Sequence, residues 1–217
     1  MWLDINRVDY GPTPLQQRVT VTRGDCAWAA DIERQQHYKQ RCVHNRARPL
    51  SYAIAWDGDP CGLLTFGLPQ FTKQRGLFGY PGLPTQWQVV VLYRFWLHPR
   101  VQGKWAPDRI SPTRGRPLNL ASCALAPVLG AKPKQPCRLQ QDWPRHSPPR
   151  IPYAPSGLRL VLAYADPLVG HQGTIYRAAN FTQWGQTRQR SPRPSRRGGH
   201  DGHVKRIFVY HLPDRLP

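Results

Sequence analysis

Two apolar runs dominate the pattern of the chain, Leu158–Tyr164 and Val89–His98. Runs of this length, rich in branched and large apolar residues, predict strands buried on both faces. Asp166-Pro167 and His98-Pro99 stop them, because proline has no N–H to give to a ladder. Alternation in Arg18–Thr22 predicts a shorter strand, and Val204–Leu212 a terminal one. Ser51–Trp56 and Cys61–Gly67 flank Asp57–Pro60, the pattern of a hairpin with its turn at those four residues. Helical spacing predicts a helix over Asp25–Arg46 capped by Asp25, and another from Asn119, with Pro127 kinking or ending it. A short helix is expected from Thr174, whose hydroxyl can cap it. Strands and helices interleaved in this order predict an α/β (α+β) fold, a single domain over residues 1–217.

Between these elements lie three polar stretches. Residues 69–88 read as a long loop whose Phe71, Phe78, Tyr80 and Trp87 could stack on bases, with Lys73 and Arg75 beside them for phosphate. Residues 131–157 are Pro-rich and basic, which predicts an extended surface insertion without helix or strand. Residues 188–203 are cationic and low in complexity, which predicts a flexible arm.

Charge changes the picture most. There are 31 Lys and Arg against 12 Asp and Glu, a net +19. Such an excess favours a polyanion as partner, through phosphate contacts and counterion release. The bland alternative is a solvated basic surface. The 5 cysteines form no CxxC pair, which argues for reduced thiols rather than a disulfide framework. No apolar run is long enough for a membrane span and the first residues lack an apolar signal core, so a cytoplasmic protein is expected.

The candidate chemistry sits after the stronger run. Asp166 falls at a strand's C-terminal end and Tyr176 on the short helix beyond a glycine-bearing loop, a place where ligands collect in α/β sheets. Without more, Asp before Pro is a turn residue and Tyr on a helix is core. Arg94, inside an apolar strand, needs a partner if buried. Ser122, in a first helical turn, can bond a ligand oxygen or simply pack. Close after Val89–His98 stands Gly103, followed by Pro107, Pro112 and Pro117.

The stretch Tyr164–Thr187, with Tyr-Ala-Asp-Pro followed by Gly-His-Gln-Gly-Thr-Ile-Tyr-Arg-Ala-Ala-Asn-Phe, resembles the signature of the Mom DNA-modification proteins of phage Mu and its relatives. Those proteins are similar to the GNAT acyltransferases, so the resemblance implies a GNAT-like central mixed sheet flanked by helices, here with long Pro-rich loops. It implies conversion of adenine in double-stranded DNA to N6-(methylcarbamoyl)adenine, an acyl-CoA-type donor and iron as a further cofactor. Shielding of phage DNA from host restriction, in a bacterial cytoplasm, goes with it.

Carried over residue by residue, the resemblance gives Asp166 a role in accepting the amine's proton, orienting the amine or holding metal. Tyr176 becomes the acid for the leaving thiolate. Arg94, Gly103 and Ser122 would hold the donor; His37 and Tyr38 would hold metal or substrate, with His171 a further ligand candidate. Arg177, Arg188 and Arg190 join Lys73 and Arg75 as expected DNA contacts. Two other classes compete: a GNAT-like N-acetyltransferase on a protein or small amine, and a basic DNA-binding protein whose catalytic site has lapsed.

Overall fold

The structure is a computed structural model, and it describes residues 15–36, 49–69, 88–101, 120–130, 136–146, 157–187 and 203–213. One helical turn, α1 (Leu15–Arg18), leads into β1 (Val19–Arg23) and then α2 (Cys26–Gln36). The hairpin follows as β2 (Leu50–Trp56) and β3 (Asp59–Gly67), then β4 (Val89–Leu97). Helices α3 (Leu120–Leu129) and α4 (Arg138–His146) precede β5 (Leu160–Ala165). Helix α5 (Thr174–Ala178), β6 (Thr182–Gln186) and β7 (Arg206–His211) complete the described chain. No helix among the described residues is long and apolar enough to cross a membrane.

The strands form one seven-stranded mixed sheet in the order β1-β2-β3-β4-β5-β7-β6. Only β4 and β5 run parallel among these neighbours, and their pairing covers just Val89–Leu92 against Leu160–Ala163. Past Leu92 and Ala163 the two strands carry on without pairing, so the sheet opens between their C-terminal ends. The predicted α/β class, a central mixed sheet flanked by helices, is the fold observed.

Alternation along β5 explains why the run reads apolar throughout. Val161, Ala163 and Ala165 join a core with Phe66, Leu92, Leu125, Trp143 and Phe208 on the face covered by α3 and α4. Leu160 and Leu162 join Val89, Val91 and Val209 on the opposite face. Helix α2 covers that opposite face nearer β3, where Ala29 and Ile32 meet Leu63. Burying each large apolar side chain of this kind stabilises by about 1.5–3 kcal/mol.

A β-bulge in β4 decides where Arg94 goes. Thr65 opposes Arg94, but the next residue, Phe66, opposes Leu92, so Tyr93 is the extra residue. A bulge reverses the side-chain alternation beyond it. Leu92 therefore points into the α3–α4 core, and Arg94 meets Glu33 of α2 on the other face.

Several sequence expectations need correction. The hairpin turn is two residues, Asp57 (φ 48°) and Gly58 (φ 93°), and Asp59-Pro60 already belong to β3. Positive φ at both central residues gives the twist that matches the flanking strands. The Arg18 guanidinium bonds the Asp57 carboxylate and holds that carboxyl below its ordinary range. Asp25 does cap α2, accepting from Ala27 N–H at 2.6 Å, and residues 37–46 of the expected helix lie outside the described residues.

Pro127 does not end α3, which runs on to Leu129. The proline costs one backbone bond, and the burial of Leu125, Val128 and Leu129 offsets it. The stretch 131–157, expected to lack helix and strand, contains α4. Leu139 and Trp143, four apart on one face, are both buried, so helical spacing outweighs the proline-rich composition. Gln140 anchors the helix by donating to the carbonyls of Leu158 (2.7 Å) and Pro213 (3.0 Å), and Tyr52 Oη donates to Asp142 (2.9 Å).

The base of the β6–β7 connection is closed by backbone bonds. Thr187 N–H donates to the Lys205 carbonyl at 2.8 Å, and Lys205 N–H donates to Thr187 Oγ1 at 2.8 Å. Residues 188–202 lie outside the described residues, whereas His203, the last residue of the expected flexible arm, is placed beside the sheet.

Candidate active site

Asp166 follows the last residue of β5 and is 4% exposed. Its backbone (φ −107°, ψ 100°) is extended, and it caps the one-turn 3-10 helix Pro167–Val169. Oδ1 accepts from Leu168 N–H at 3.2 Å, and the main-chain carbonyl accepts from Val169 N–H and His171 N–H. This is how the Asp-Pro pair works locally. Proline supplies the fixed φ for the turn, and the aspartate satisfies the amide that the turn would otherwise strand.

The other carboxylate oxygen meets a residue that sequence reasoning missed. His203 Nδ1 lies 3.1 Å from Asp166 Oδ2, and the histidine side chain is 24% exposed. The two are 37 positions apart, joined because β7 pairs antiparallel with β5 and brings Arg206 opposite Ala165. The signal available was weak: a histidine just before the terminal strand, in register with the end of the apolar run.

The loop beyond Asp166 depends on two glycines. Gly170 (φ 82°) closes the 3-10 turn, its N–H donating to the Pro167 carbonyl at 3.1 Å. Gly173 (φ 78°) occupies the cap position of α5 in place of Thr174, which is the first helical residue. A Cβ on Gly173 would lie 2.2 Å from Phe208 Cζ, so neither the conformation nor the space admits a side chain.

Tyr176 stands on α5, half-buried. Its ring packs against Phe181 (5.5 Å between centroids) and Phe208 (5.3 Å), an aromatic wall extended by Tyr210. Asp166 and Tyr176 thus stand at the two ends of one short loop. The carboxylate faces an imidazole, and the phenol rests on aromatic rings. His171 is exposed in the loop, and its N–H is bound to Asp166.

The donor candidates are placed apart from these. Arg94 lies against Glu33, Nε to Oε2 3.9 Å, and Nη1 donates to the Tyr93 carbonyl at the bulge. Glu33 also accepts from Thr65 Oγ1 at 2.9 Å, so Arg94, expected to hold the donor, meets a buried carboxylate in a polar network under α2. Ser122 Oγ donates to the Ala178 carbonyl at 3.0 Å, a bond that ties α3 to the end of α5. A groove of about 540 Å³ beside them is lined by Thr20, Thr22, Ser122, Cys123, Arg138 and Asn180 among others, and neither Asp166 nor Tyr176 reaches it. Gly103 lies outside the described residues.

Of the DNA-contact candidates, Arg177 is exposed on α5, with its guanidinium 5.9 Å from the Phe208 ring centroid. Lys73, Arg75, Arg188 and Arg190 lie outside the described residues, as do His37 and Tyr38. Among the described residues no group of three His, Cys, Asp or Glu side chains could hold a metal ion.

Chemically, the end of β5 offers a carboxylate fixed by a backbone amide, an imidazole fixed by the carboxylate, and a phenol one loop away. That set suits proton transfer during attack by an amine.

The chain is similar to known proteins in fold and, over part of its length, in sequence family. In overall fold the chain is similar to RimL, a ribosomal alpha-N-protein acetyltransferase, with 12% identity over 92% of this chain and 96% of that one, TM-score 0.47. It is similar to Arabidopsis thaliana NAA60 in complex with acetyl-CoA, with 14% identity over 89% and 98%, TM-score 0.48. A GNAT-family acetyltransferase from Bacillus cereus shares 14% identity over 90% and 98%, TM-score 0.42. Residues 149–209 match the Mom protein family, the family that the sequence resembles. The matched segment contains Asp166, Tyr176 and His203. No curated protein matches the chain.

Proposed function

We propose that the protein modifies DNA by acyl transfer, converting adenine in duplex DNA to N6-(methylcarbamoyl)adenine with an acyl-CoA-type thioester, whose transferred group is the methylcarbamoyl group itself, as donor. The observation that carries this reading is the Asp166–His203 pair at the open end of β5, inside the segment that matches the Mom family. The net charge of +19 supports a phosphate-rich substrate. Modification in a phage-infected or prophage-bearing cell would protect that DNA from restriction.

Adenine N6 is a weak nucleophile, because its lone pair is delocalised into the ring, and the base must leave the stack to be reached. The amine nitrogen bonds the thioester carbonyl carbon, the carbon–sulfur bond breaks, and the amine gives up a proton. In this reading Asp166 and its partner take that proton, and Tyr176 protonates the departing thiolate. Arg177 and the basic segment 188–202 supply phosphate contacts.

Nucleoside mass spectrometry of DNA from cells expressing the protein tests the reading. An adenosine carrying the added group is expected, and Asp166→Ala or Tyr176→Phe abolishes it while the protein still folds. Unmodified nucleosides from a well-folded protein overturn the proposal. Acylated protein or small amines in their place would favour an N-acetyltransferase.

A further inference from the structure

We infer that His203 is the proton acceptor in this reaction and that Asp166 is its positioning residue rather than the base itself; the inference rests on the acyl-transfer reading above. Three observations lead there. First, both carboxylate oxygens of Asp166 are engaged, Oδ1 by Leu168 N–H and Oδ2 by His203 Nδ1. Second, Asp166 is 4% exposed, so an amine substrate has little access to it, whereas the His203 side chain is 24% exposed. Third, the bonded ring nitrogen is Nδ1, which directs Nε2, on the opposite edge of the imidazole, away from the carboxylate.

A carboxylate accepts and does not donate, so His203 Nδ1 carries the hydrogen in this contact and Nε2 is the basic nitrogen. The carboxylate thereby fixes tautomer and ring orientation and stabilises the imidazolium once it forms, as in other acid–imidazole pairs. In the step itself the amine nitrogen bonds the carbonyl carbon of the acyl thioester. The amine proton passes to His203 Nε2, the carbon–sulfur electron pair leaves with sulfur, and the products are the N-acylated amine and a thiol.

Among the described residues, the charged and titratable groups on the neighbouring elements include Asp166 at the end of β5, His171 in the glycine loop, Tyr176 and Arg177 on α5, and Lys205 and Arg206 leading into β7. Arg206 is turned toward the loop, its Nη1 donating to the Gln172 carbonyl at 3.2 Å.

Two measurements on the full chain test the assignment. In a protein labelled with ¹⁵N-histidine, the imidazole signal lost in His203→Gln identifies His203. In the neutral ring that signal should report the hydrogen on Nδ1, and Asp166→Asn should disturb it. A ring protonated on Nε2, or one indifferent to Asp166→Asn, overturns the pairing without reference to activity. In cells, His203→Gln should lower modified adenine by about 100-fold or more, the scale of general-base catalysis, while the variant still folds. Wild-type levels of modification in His203→Gln overturn the role of His203 alone. Absence of modification by the wild-type protein instead removes the acyl-transfer reading and this assignment with it.

Discussion

Arg94 Nε lies 3.9 Å from Glu33 Oε2, with the two side chains 11% and 3% exposed, so an ion pair is closed between α2 and the β4 bulge. Removing one partner from such a pair leaves an uncompensated buried charge, at a cost of about 3–5 kcal/mol. Arg94→Met is therefore expected to lower stability in a urea melt by about 3 kcal/mol. Adding Glu33→Gln should recover a large part of that loss. If Arg94→Met melted like the wild type while losing activity, the arginine would be serving a ligand instead of α2.

Gly170 and Gly173 share a left-handed backbone but differ in surroundings. A Cβ on Gly170 meets nothing within 4 Å, whereas one on Gly173 meets the Phe208 ring at 2.2 Å. Gly170→Ala should cost about 1–2 kcal/mol from the backbone alone. Gly173→Ala should cost more and displace the loop between Asp166 and Tyr176, so activity should fall further than in Gly170→Ala. Equal effects in thermal melts and modification assays would contradict the close packing of this loop on β7.

The Tyr52 hydroxyl is pushed far above its ordinary value of 10.0, first by burial and then by its bond to Asp142. A proton held more tightly in the folded state means stability is complete below pH 10.0 and falls as pH rises beyond it. Tyr52→Phe should flatten this alkaline decline in a series of thermal melts, at some loss of stability at neutral pH from the missing bond to α4. A decline as steep in Tyr52→Phe as in the wild type would place its origin elsewhere.

Regular features of the fold were legible because they are local. The apolar run of β5, the Asp25 cap and the hairpin each follow from residues within one turn or strand. What stayed hidden depends on register between distant segments. His203 meets Asp166 only because β7 pairs with β5, and a histidine beside a cationic tract carries no mark of that. Arg94 announced a need for a partner, but Glu33 could be named only once the bulge at Tyr93 had set which face Arg94 occupies. In α4 the error was one of weighting. Proline-rich composition concealed the pair Leu139 and Trp143, whose spacing was in plain view.

Thr187 and Lys205 cross-brace the two arms of the β6–β7 connection before the chain departs into residues 188–202. From Arg206 onward the chain is set by its pairing with β5 and β6. His203 lies on the loop side of this brace, two residues before Lys205, and owes its own place to Asp166 Oδ2.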